Sequence, residues 1–140
     1  ARDSLFKGPL GMFIRALNSI PVNRSQLDLA TFRRVLKVLR DGHPLLVFPE
    51  GTRSEDGRLG EGKKGVGMLV AKSQVPILPA RIIGSYEILR KGKFFPRIGR
   101  KLRVSYGRLI PVSELDPGGK GGDRYEQISR SIMDAIQEIK

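Results

Sequence analysis

Apolar segments with helical and strand-like spacing alternate along this 140-residue chain. Leu45–Phe48 is a short apolar run without alternation, which is typical of a strand covered on both faces by helices. A helical pattern that begins near Ser25 and ends at Gly42 precedes this run, and a second helical pattern over residues 64–73 follows it. The alternation predicts an α/β fold in which helices lie on both sides of a mostly parallel or mixed sheet.

The remaining predicted elements continue the same order. Strands are expected at residues 19–22, 77–83 and 102–106, and helices at residues 4–17 and after the Gly-rich stretch 117–122. A chain of this length fits one domain, so residues 1–140 are predicted to form a single domain. Because the chain begins with Ala rather than Met, in sequence that reads as structured, we expect the natural protein to extend upstream and the N-terminal part of the domain to be missing here.

The charge balance points to an anionic partner. There are 26 Lys and Arg residues against 14 Asp and Glu, which gives a formal net charge of +12. Nucleic acid, an anionic membrane surface and phosphorylated substrates all fit such a charge. Cysteine is absent and His43 is the one histidine, which excludes disulfides, a cysteine nucleophile and a His-rich metal site. No apolar run approaches the roughly 20 residues that span a bilayer.

The string Phe48–Ser54, which reads FPEGTRS, directly follows the predicted strand. Ligands of open α/β sheets bind at the carboxyl ends of strands. Gly51 lets backbone amides approach an anion, Thr52 adds a hydroxyl donor, and the Arg53 guanidinium can hold a phosphate through two parallel hydrogen bonds. Glu50 would repel a phosphate, so it is predicted to hold the loop in shape instead. The string therefore predicts a phosphate-binding loop.

FPEGTRS resembles the third conserved block of the 1-acylglycerol-3-phosphate acyltransferase family, within the wider group of glycerolipid acyltransferases. Three further segments resemble other blocks of this family in the same order: residues 20–24, which read IPVNR, residues 62–65, which read GKKG, and residues 75–79, which read VPILP. The resemblance runs from Ala1 to about Ile110. It implies an acyltransferase domain with a layered α/β fold.

The resemblance also implies a clamp on the acceptor's phosphate, with Arg24 and Arg53 opposite each other and Lys63 or Lys64 nearby. The implied reaction transfers an acyl group from acyl-CoA or acyl carrier protein to the free hydroxyl of 1-acylglycerol 3-phosphate, forming phosphatidic acid in phospholipid biosynthesis. No metal or redox cofactor is required. The predicted phosphate site comprises Arg24, Gly51, Thr52, Arg53, Lys63 and Lys64, with Pro49 and Glu50 as scaffold.

One block of the family pattern is missing from the chain. The family's first block is a His followed five positions later by an Asp, and this pair acts as general base and orienting carboxylate. Here the residue five positions after His43 is Phe48. The catalytic pair is therefore expected upstream of Ala1, and this chain alone is expected to be inactive.

Residues 90–108 contain eight basic residues and no acidic one, with Phe94 and Phe95 among them. Such a run is commonly a solvated surface, but it also fits docking on an anionic bilayer. Because the implied substrates are membrane lipids, we predict membrane contact by Phe94, Phe95, Lys91, Lys93 and Arg97, and a location at the cytoplasmic face of a membrane.

Two alternatives stay open. The family blocks bind a phosphate that several acceptors share, so another lysolipid or glycerol 3-phosphate fits the same residues. The net charge also permits a basic nucleic-acid-binding module. The absence of a helix-turn-helix pattern, a zinc-ligand pattern and an aromatic stacking ladder disfavours nucleic acid as a partner.

Overall fold

The computed structural model of the chain describes residues 11–12, 16, 19–20, 29–93, 95–119 and 122–140. The chain divides into two compact units, residues 1–45 and 46–140, and each is described by itself. The expectation of a single domain stays a prediction. The predicted helix start near Ser25 and the predicted phosphate ligand Arg24 lie outside the described residues.

The first unit contains helix α1, Leu29–Arg40. Its basic residues are exposed, whereas Leu36 and Leu39 on the opposite stripe are half-buried. The helix ends in a Schellman motif, because the amide of His43 donates to the Val38 carbonyl while Gly42 adopts a φ of 81°. The predicted end of this helix at Gly42 is therefore confirmed. Ser19 and Ile20, which were expected in a strand, are not in one.

The second unit contains four helices and two strands in its described part. The predicted helix over residues 64–73 is confirmed at both ends. In chain order the elements are α2 (Lys64–Ser73), β1 (Ala80–Ile83), α3 (Ser85–Ile88), β2 (Arg103–Tyr106), α4 (Val112–Leu115) and α5 (Gly122–Gln137).

The strands β1 and β2 form a two-stranded antiparallel sheet. Ala80 pairs with Tyr106 at one end of the ladder and Ile83 pairs with Arg103 at the other. An isolated bridge between Ile77 and Ile110 continues the pairing beyond the strand ends, so the strand predicted from residue 77 begins regular pairing only at Ala80. The α/β class is confirmed, but the strands of the described part pair antiparallel rather than parallel.

The prediction that Leu45–Phe48 forms a buried strand was wrong on both points. None of its residues is in a strand, and Leu46 and Phe48 are 81% and 60% exposed. A strand needs a neighbour to accept and donate its backbone hydrogen bonds. No segment of the described part pairs with residues 45–48, so the apolar composition alone does not produce a strand there.

The core of the second unit lies between α2, α4 and α5. Helix α5 supplies half of its buried side chains. The buried residues of this cluster are Val70, Ile110, Val112, Leu115, Ile128, Ile132, Met133 and Ile136.

Helices α2 and α5 approach closely because α2 presents glycine at the contact. A Cβ atom placed on Gly67 would lie 1.9 Å from the Tyr125 carbonyl oxygen, which is part of the α5 backbone. That distance is far inside van der Waals contact, so Gly67 cannot be enlarged without separating the helices. Gly65, two residues earlier on the same helix, has no atom within 4 Å of its Cβ position.

Arg81 connects the sheet to the end of α5. Its Nη1 donates to the carbonyl oxygens of Gln137 at 3.1 Å and Ile139 at 2.8 Å. The last carbonyls of a helix have no partner within the helix, and a cation there also interacts favourably with the helix dipole. Arg81 thus caps α5 from β1.

Replacing Gly67 by Ala should destabilise the chain by about 1–3 kcal/mol or more, because the methyl group forces α2 away from the α5 backbone. The matched replacement Gly65→Ala should be neutral or stabilising by up to about 1 kcal/mol, since alanine is the better helix former. Urea unfolding of the two variants measures the difference. Equal stability of Gly67→Ala and Gly65→Ala would contradict the close packing.

The loop before α5 is fixed by an ion pair between Asp116 and Arg124. Arg124 Nε donates to Asp116 Oδ1 at 2.7 Å, its Nη2 donates to Oδ2 at 2.5 Å, and its Nη1 donates to the Gly119 carbonyl at 2.8 Å. The Asp116 carboxylate also accepts the amide of Gly118. The hydrogen bond from Arg124 lowers the pKa of Asp116 below its ordinary value.

The pKa of Asp116 is lower in the folded than in the unfolded chain. The ion pair therefore stabilises the fold at pH values above the ordinary Asp pKa of about 3.9. This stabilisation is lost as the pH falls through the lower pKa of the folded chain. Asp116→Asn should therefore be less stable than wild type at about pH 7, and the gap should narrow below about pH 4. Thermal unfolding at a series of pH values measures it. Arg124→Gln should behave in the same way, and a gap independent of pH would disprove the role of the pair.

Candidate functional site

The loop of residues 49–63 joins Phe48 to the first turn of α2 and carries most of the predicted phosphate ligands. It opens with a tight turn in which the Gly51 amide donates to the Phe48 carbonyl at 3.1 Å. Gly51 has a φ of 68°, a left-handed conformation that side chains with a Cβ rarely adopt. The glycine of FPEGTRS is thus required by the turn itself.

The two ends of the loop are tied together by the backbone. The Lys63 amide donates to the Pro49 carbonyl at 2.8 Å. A Cβ atom on Gly51 would lie 3.4 Å from Lys63 Cγ, so the stem of this lysine passes beside the turn. The closure therefore brings Gly51 and Lys63 together although twelve positions separate them in the sequence.

Glu50 braces the loop across its middle. Its Oε2 accepts the amide of Gly60 at 2.7 Å, and a Cβ atom on Gly60 would come within 3.0 Å of the same oxygen. A carboxylate that accepts a backbone amide forms a charge-assisted hydrogen bond, which is stronger than a neutral one. The Glu50 carboxylate thus points into the loop.

The outer part of the loop has its own network. Asp56 Oδ1 accepts the Arg58 amide at 2.9 Å, and Ser54 Oγ accepts the Gly57 amide at 2.8 Å. The Arg58 amide holds the pKa of Asp56 below its usual value. Glu55 accepts a hydrogen bond from Lys91 at 2.5 Å, and this ammonium group lowers the pKa of Glu55. The Arg58 amide and the Lys91 ammonium group, both outside FPEGTRS, thus each favour the ionised form of one of these carboxylates.

Helix α5 supports the loop from beneath through Ser129. This buried side chain donates from its Oγ to the Lys63 carbonyl at 3.2 Å. A Cβ atom on Gly62 would lie only 2.4 Å from Ser129 Oγ, so the loop lies directly on the helix at this point. Sequence reasoning missed Ser129, although a serine between Ile128 and Ile132 on an otherwise apolar face is a signal that could have found it.

Two exposed cationic groups of the loop have no acidic partner in the described part of the chain, whereas Arg58 is paired with Asp56. Thr52, Arg53 and Lys63 are exposed, and among the described residues no acidic side chain pairs with Arg53 or Lys63. Lys64 differs, because its Nζ lies 3.3 Å from Glu126 Oε1 of α5. The loop can therefore offer a hydroxyl, a guanidinium and an ammonium group to an anion, while Lys64 already has a carboxylate partner.

The predicted membrane-contact residues lie on a separate segment. Lys91, Lys93, Phe95 and Arg97 are all exposed, and Phe94 lies outside the described residues. Within the described ranges, every helix falls short of the length and apolar character that crossing a bilayer requires.

The fold and the loop define an α/β protein with a braced, cation-bearing turn after an apolar segment. The family model described as Acyltransferase matches residues 1–83, more than half of the chain. The chain therefore belongs to the Acyltransferase family, which confirms the family resemblance of FPEGTRS.

The individual relatives have more specific names than the family model. A chloroplast 1-acyl-sn-glycerol-3-phosphate acyltransferase of Brassica napus is 36% identical over 87 residues, which cover 59% of this chain and 25% of that protein. The 1-acyl-sn-glycerol-3-phosphate acyltransferase of Bacillus subtilis is 29% identical over 145 residues, covering 100% of this chain and 67% of that protein. The chain thus spans between a quarter and two thirds of the length of these relatives.

A solved structure also matches. The crystal structure of the 1-acyl-sn-glycerophosphate acyltransferase PlsC from Thermotoga maritima has a TM-score of 0.71 and 28% sequence identity. The match covers 99% of this chain and 54% of that one. The fold described above is therefore the fold of a corresponding part of that enzyme.

Replacing Glu50 by Ala should release the Gly60 amide and speed its hydrogen exchange, because the loop loses its central brace. The matched variant Asp56→Ala should speed exchange at Arg58 and leave Gly60 unchanged. Residue-resolved amide exchange by NMR compares the two. If Gly60 exchanges at the same rate in wild type and Glu50→Ala, Glu50 does not brace the loop.

Proposed function

We propose that the whole protein transfers an acyl group to the free hydroxyl of 1-acylglycerol 3-phosphate, and that the loop of residues 49–63 holds the phosphate of this acceptor. The observation that carries the proposal is Arg53, an exposed guanidinium without a described acidic partner on a loop braced at three points. Membership of the Acyltransferase family and the names of the relatives support the reaction.

The loop suits a phosphate monoester. A guanidinium can donate two parallel hydrogen bonds to phosphate oxygens, and Thr52 can donate a third from its hydroxyl. Lys63 contributes charge from beside the Gly51 turn. Because the backbone of the loop is held by Glu50, Pro49 and Ser129, little conformational entropy remains to be lost when the anion binds. The clamp would fix the distance from the phosphate to the reacting hydroxyl, which is the purpose of substrate positioning.

The chemical step needs a base, and the His and Asp pair that the family resemblance implies is not found in this sequence. The acceptor hydroxyl attacks the thioester carbonyl, and a general base must take its proton as the thiolate leaves. His43 is exposed at the end of α1, and Phe48 rather than a carboxylate lies five positions later. We therefore assign the base to a part of the enzyme outside these 140 residues and expect this chain alone to be inactive.

The proposed acceptor is supported by the relatives rather than by the loop. A phosphate clamp accepts another lysolipid or glycerol 3-phosphate as readily, and a thioester donor on CoA or on acyl carrier protein fits the same chemistry. The names of the relatives favour 1-acylglycerol 3-phosphate. We place the enzyme at the cytoplasmic face of a membrane, where its lipid acceptor would reside.

In the full-length enzyme, Arg53→Ala should lower kcat/KM for 1-acylglycerol 3-phosphate about 10- to 150-fold, the loss expected for a charge-assisted hydrogen bond of about 1.5–3 kcal/mol. Initial rates over a range of acceptor concentrations measure the loss. Arg58→Ala is the matched control, because Arg58 is an exposed arginine of the same loop outside FPEGTRS. It should change kcat/KM less than about twofold.

A second acceptor separates binding of phosphate from general damage. With 1-monoacylglycerol, which lacks the phosphate, Arg53→Ala should leave the residual rate unchanged. An equal loss with both acceptors, or an unchanged kcat/KM for the phosphate-bearing one, would contradict the assignment of Arg53. Acyl transfer by the 140-residue chain alone would contradict the assignment of the base.

A further inference from the structure

The connection between β1 and β2, residues 84–102, contains the densest positive charge of the chain. Between Glu87 and Glu114 there are eight basic residues and no acidic one. Lys91 is paired with Glu55, and Arg108 is paired with Glu114. The basic residues left without an acidic partner among the described residues are Arg90, Lys93, Arg97, Arg100, Lys101 and Arg103.

We call residues 90–101 the basic segment. Phe94 within it lies outside the described residues. A hydrogen bond from the Arg97 amide to the Ile88 carbonyl at 2.8 Å closes residues 88–97 into a loop, and Ile98 follows directly after it. The Lys93 amide donates to the Arg90 carbonyl at 3.1 Å, which forms a turn before Phe95. This part of the segment is therefore hydrogen-bonded rather than extended.

The basic segment presents two large apolar side chains to solvent. Phe95 is 88% exposed and Ile98 is 98% exposed. They lie three positions apart, so their Cα atoms are separated by at most about 11 Å. A single exposed apolar residue is ordinary, but two in one segment rich in basic residues match the composition of surfaces that enter the lipid headgroup region.

A cleft of about 380 Å³ opens between the cations. Arg90, Lys93 and Arg97 line it, together with Ile88, Gly92 and Phe95. Arg90 is held in place over the Tyr86 ring, with its Cζ 5.1 Å from the ring centroid. Three cationic side chains beside an apolar wall offer partners for both the phosphate and the upper glycerol of a phospholipid.

We propose that the basic segment docks this unit on an anionic bilayer, with Phe95 and Ile98 inserted at the headgroup level and an anionic lipid headgroup seated among Arg90, Lys93 and Arg97. The segment lies next to the loop of residues 49–63, because Lys91 binds Glu55 and Tyr86 packs against Gly57. Docking would therefore present that loop to the surface from which a lipid acceptor is drawn. The proposal does not depend on acyl transfer.

The exposed apolar residues Phe95 and Ile98 favour a bilayer over nucleic acid as the partner. Single-stranded nucleic acids are bound by bases stacking on aromatic rings along a basic groove. Phe95 is the one described aromatic residue of the basic segment. Ile98, the more exposed of the two apolar residues, has no ring on which a base could stack. An aliphatic tip gains nothing from a nucleotide but is transferred favourably into lipid.

Sedimentation of the 140-residue chain with vesicles tests the docking. Vesicles of equal parts phosphatidylglycerol and phosphatidylcholine should bind the chain, and vesicles of phosphatidylcholine alone should not. Phe95→Ser combined with Ile98→Ser should weaken binding at least about tenfold. Lys93→Gln combined with Arg97→Gln should weaken it about 30-fold.

The matched control removes the same charge elsewhere. Lys72→Gln combined with Arg130→Gln changes two exposed basic residues of the same unit, on α2 and α5, and should weaken binding less than about threefold. Equal weakening by both charge variants would overturn the proposal, because it would show attraction by net charge alone. Unchanged binding of the Phe95 and Ile98 variant would also overturn it, as would displacement of the chain from vesicles by a single-stranded oligonucleotide at about 0.15 M salt.

A tryptophan reporter locates the inserted residue. The chain contains no tryptophan, so Ile98→Trp introduces a single fluorophore. Its emission should shift to shorter wavelength when anionic vesicles are added. Leu109→Trp is the control, since the register places Leu109 beyond the opposite end of the β1–β2 ladder from the basic segment. A shift for Leu109→Trp without one for Ile98→Trp would place the docking surface elsewhere.

Discussion

The close contact between α2 and α5 is the interaction on which the rest of the second unit depends. It is possible because Gly67 brings the α2 backbone against the Tyr125 carbonyl and Gly62 brings the preceding loop against Ser129. Small residues at a helix contact allow backbones to approach, and the surrounding aliphatic side chains then pack at high density. Any side chain at these two positions would lift the loop together with α2 away from its support.

The loop of residues 49–63 depends on that contact through a short chain of hydrogen bonds. Ser129 holds the Lys63 carbonyl, the Lys63 amide holds Pro49, and Glu50 holds Gly60. Each bond alone contributes little, about 1 kcal/mol, to stability. Together they fix a backbone that would otherwise be a mobile surface loop. A loop supported by a rigid helix is the arrangement that precise ligand positioning needs.

Helix ends could be predicted well from the sequence, whereas strand pairing could not. The bounds of α2 and the end of α1 at Gly42 could be derived, because helical spacing and a C-terminal glycine are local signals. The direction of strand pairing and the conformation of Leu45–Phe48 could not be derived, because both depend on which distant segment lies alongside. An apolar run predicts burial only if a partner covers it, and no described segment covers this one.

The same distinction applies to the candidate site. FPEGTRS could be identified as a loop with a phosphate-binding composition because its seven residues are contiguous. Which of its neighbouring cations have partners could not be predicted. Lys63 and Lys64 are adjacent and identical, yet Lys64 is paired with Glu126, 62 positions away, whereas Lys63 passes beside the Gly51 turn. Ser129 could be noticed as a serine on an apolar helix face, but its partner, the Lys63 carbonyl, depends on a helix packing that no local pattern specifies.

The bond from Ser129 to the Lys63 carbonyl has a consequence for the order of events during synthesis. The two residues are 66 positions apart, so at about 5–20 residues per second the helix that supports the loop is made roughly 3 to 13 s after the loop itself. Until then α2 has no partner along its glycine face, and the segment that carries Arg53 is a nascent chain without its support. A ribosome that pauses before α5 would leave this segment open to proteases and chaperones, and the loop of residues 49–63 would be among the last parts of the unit to acquire its final structure.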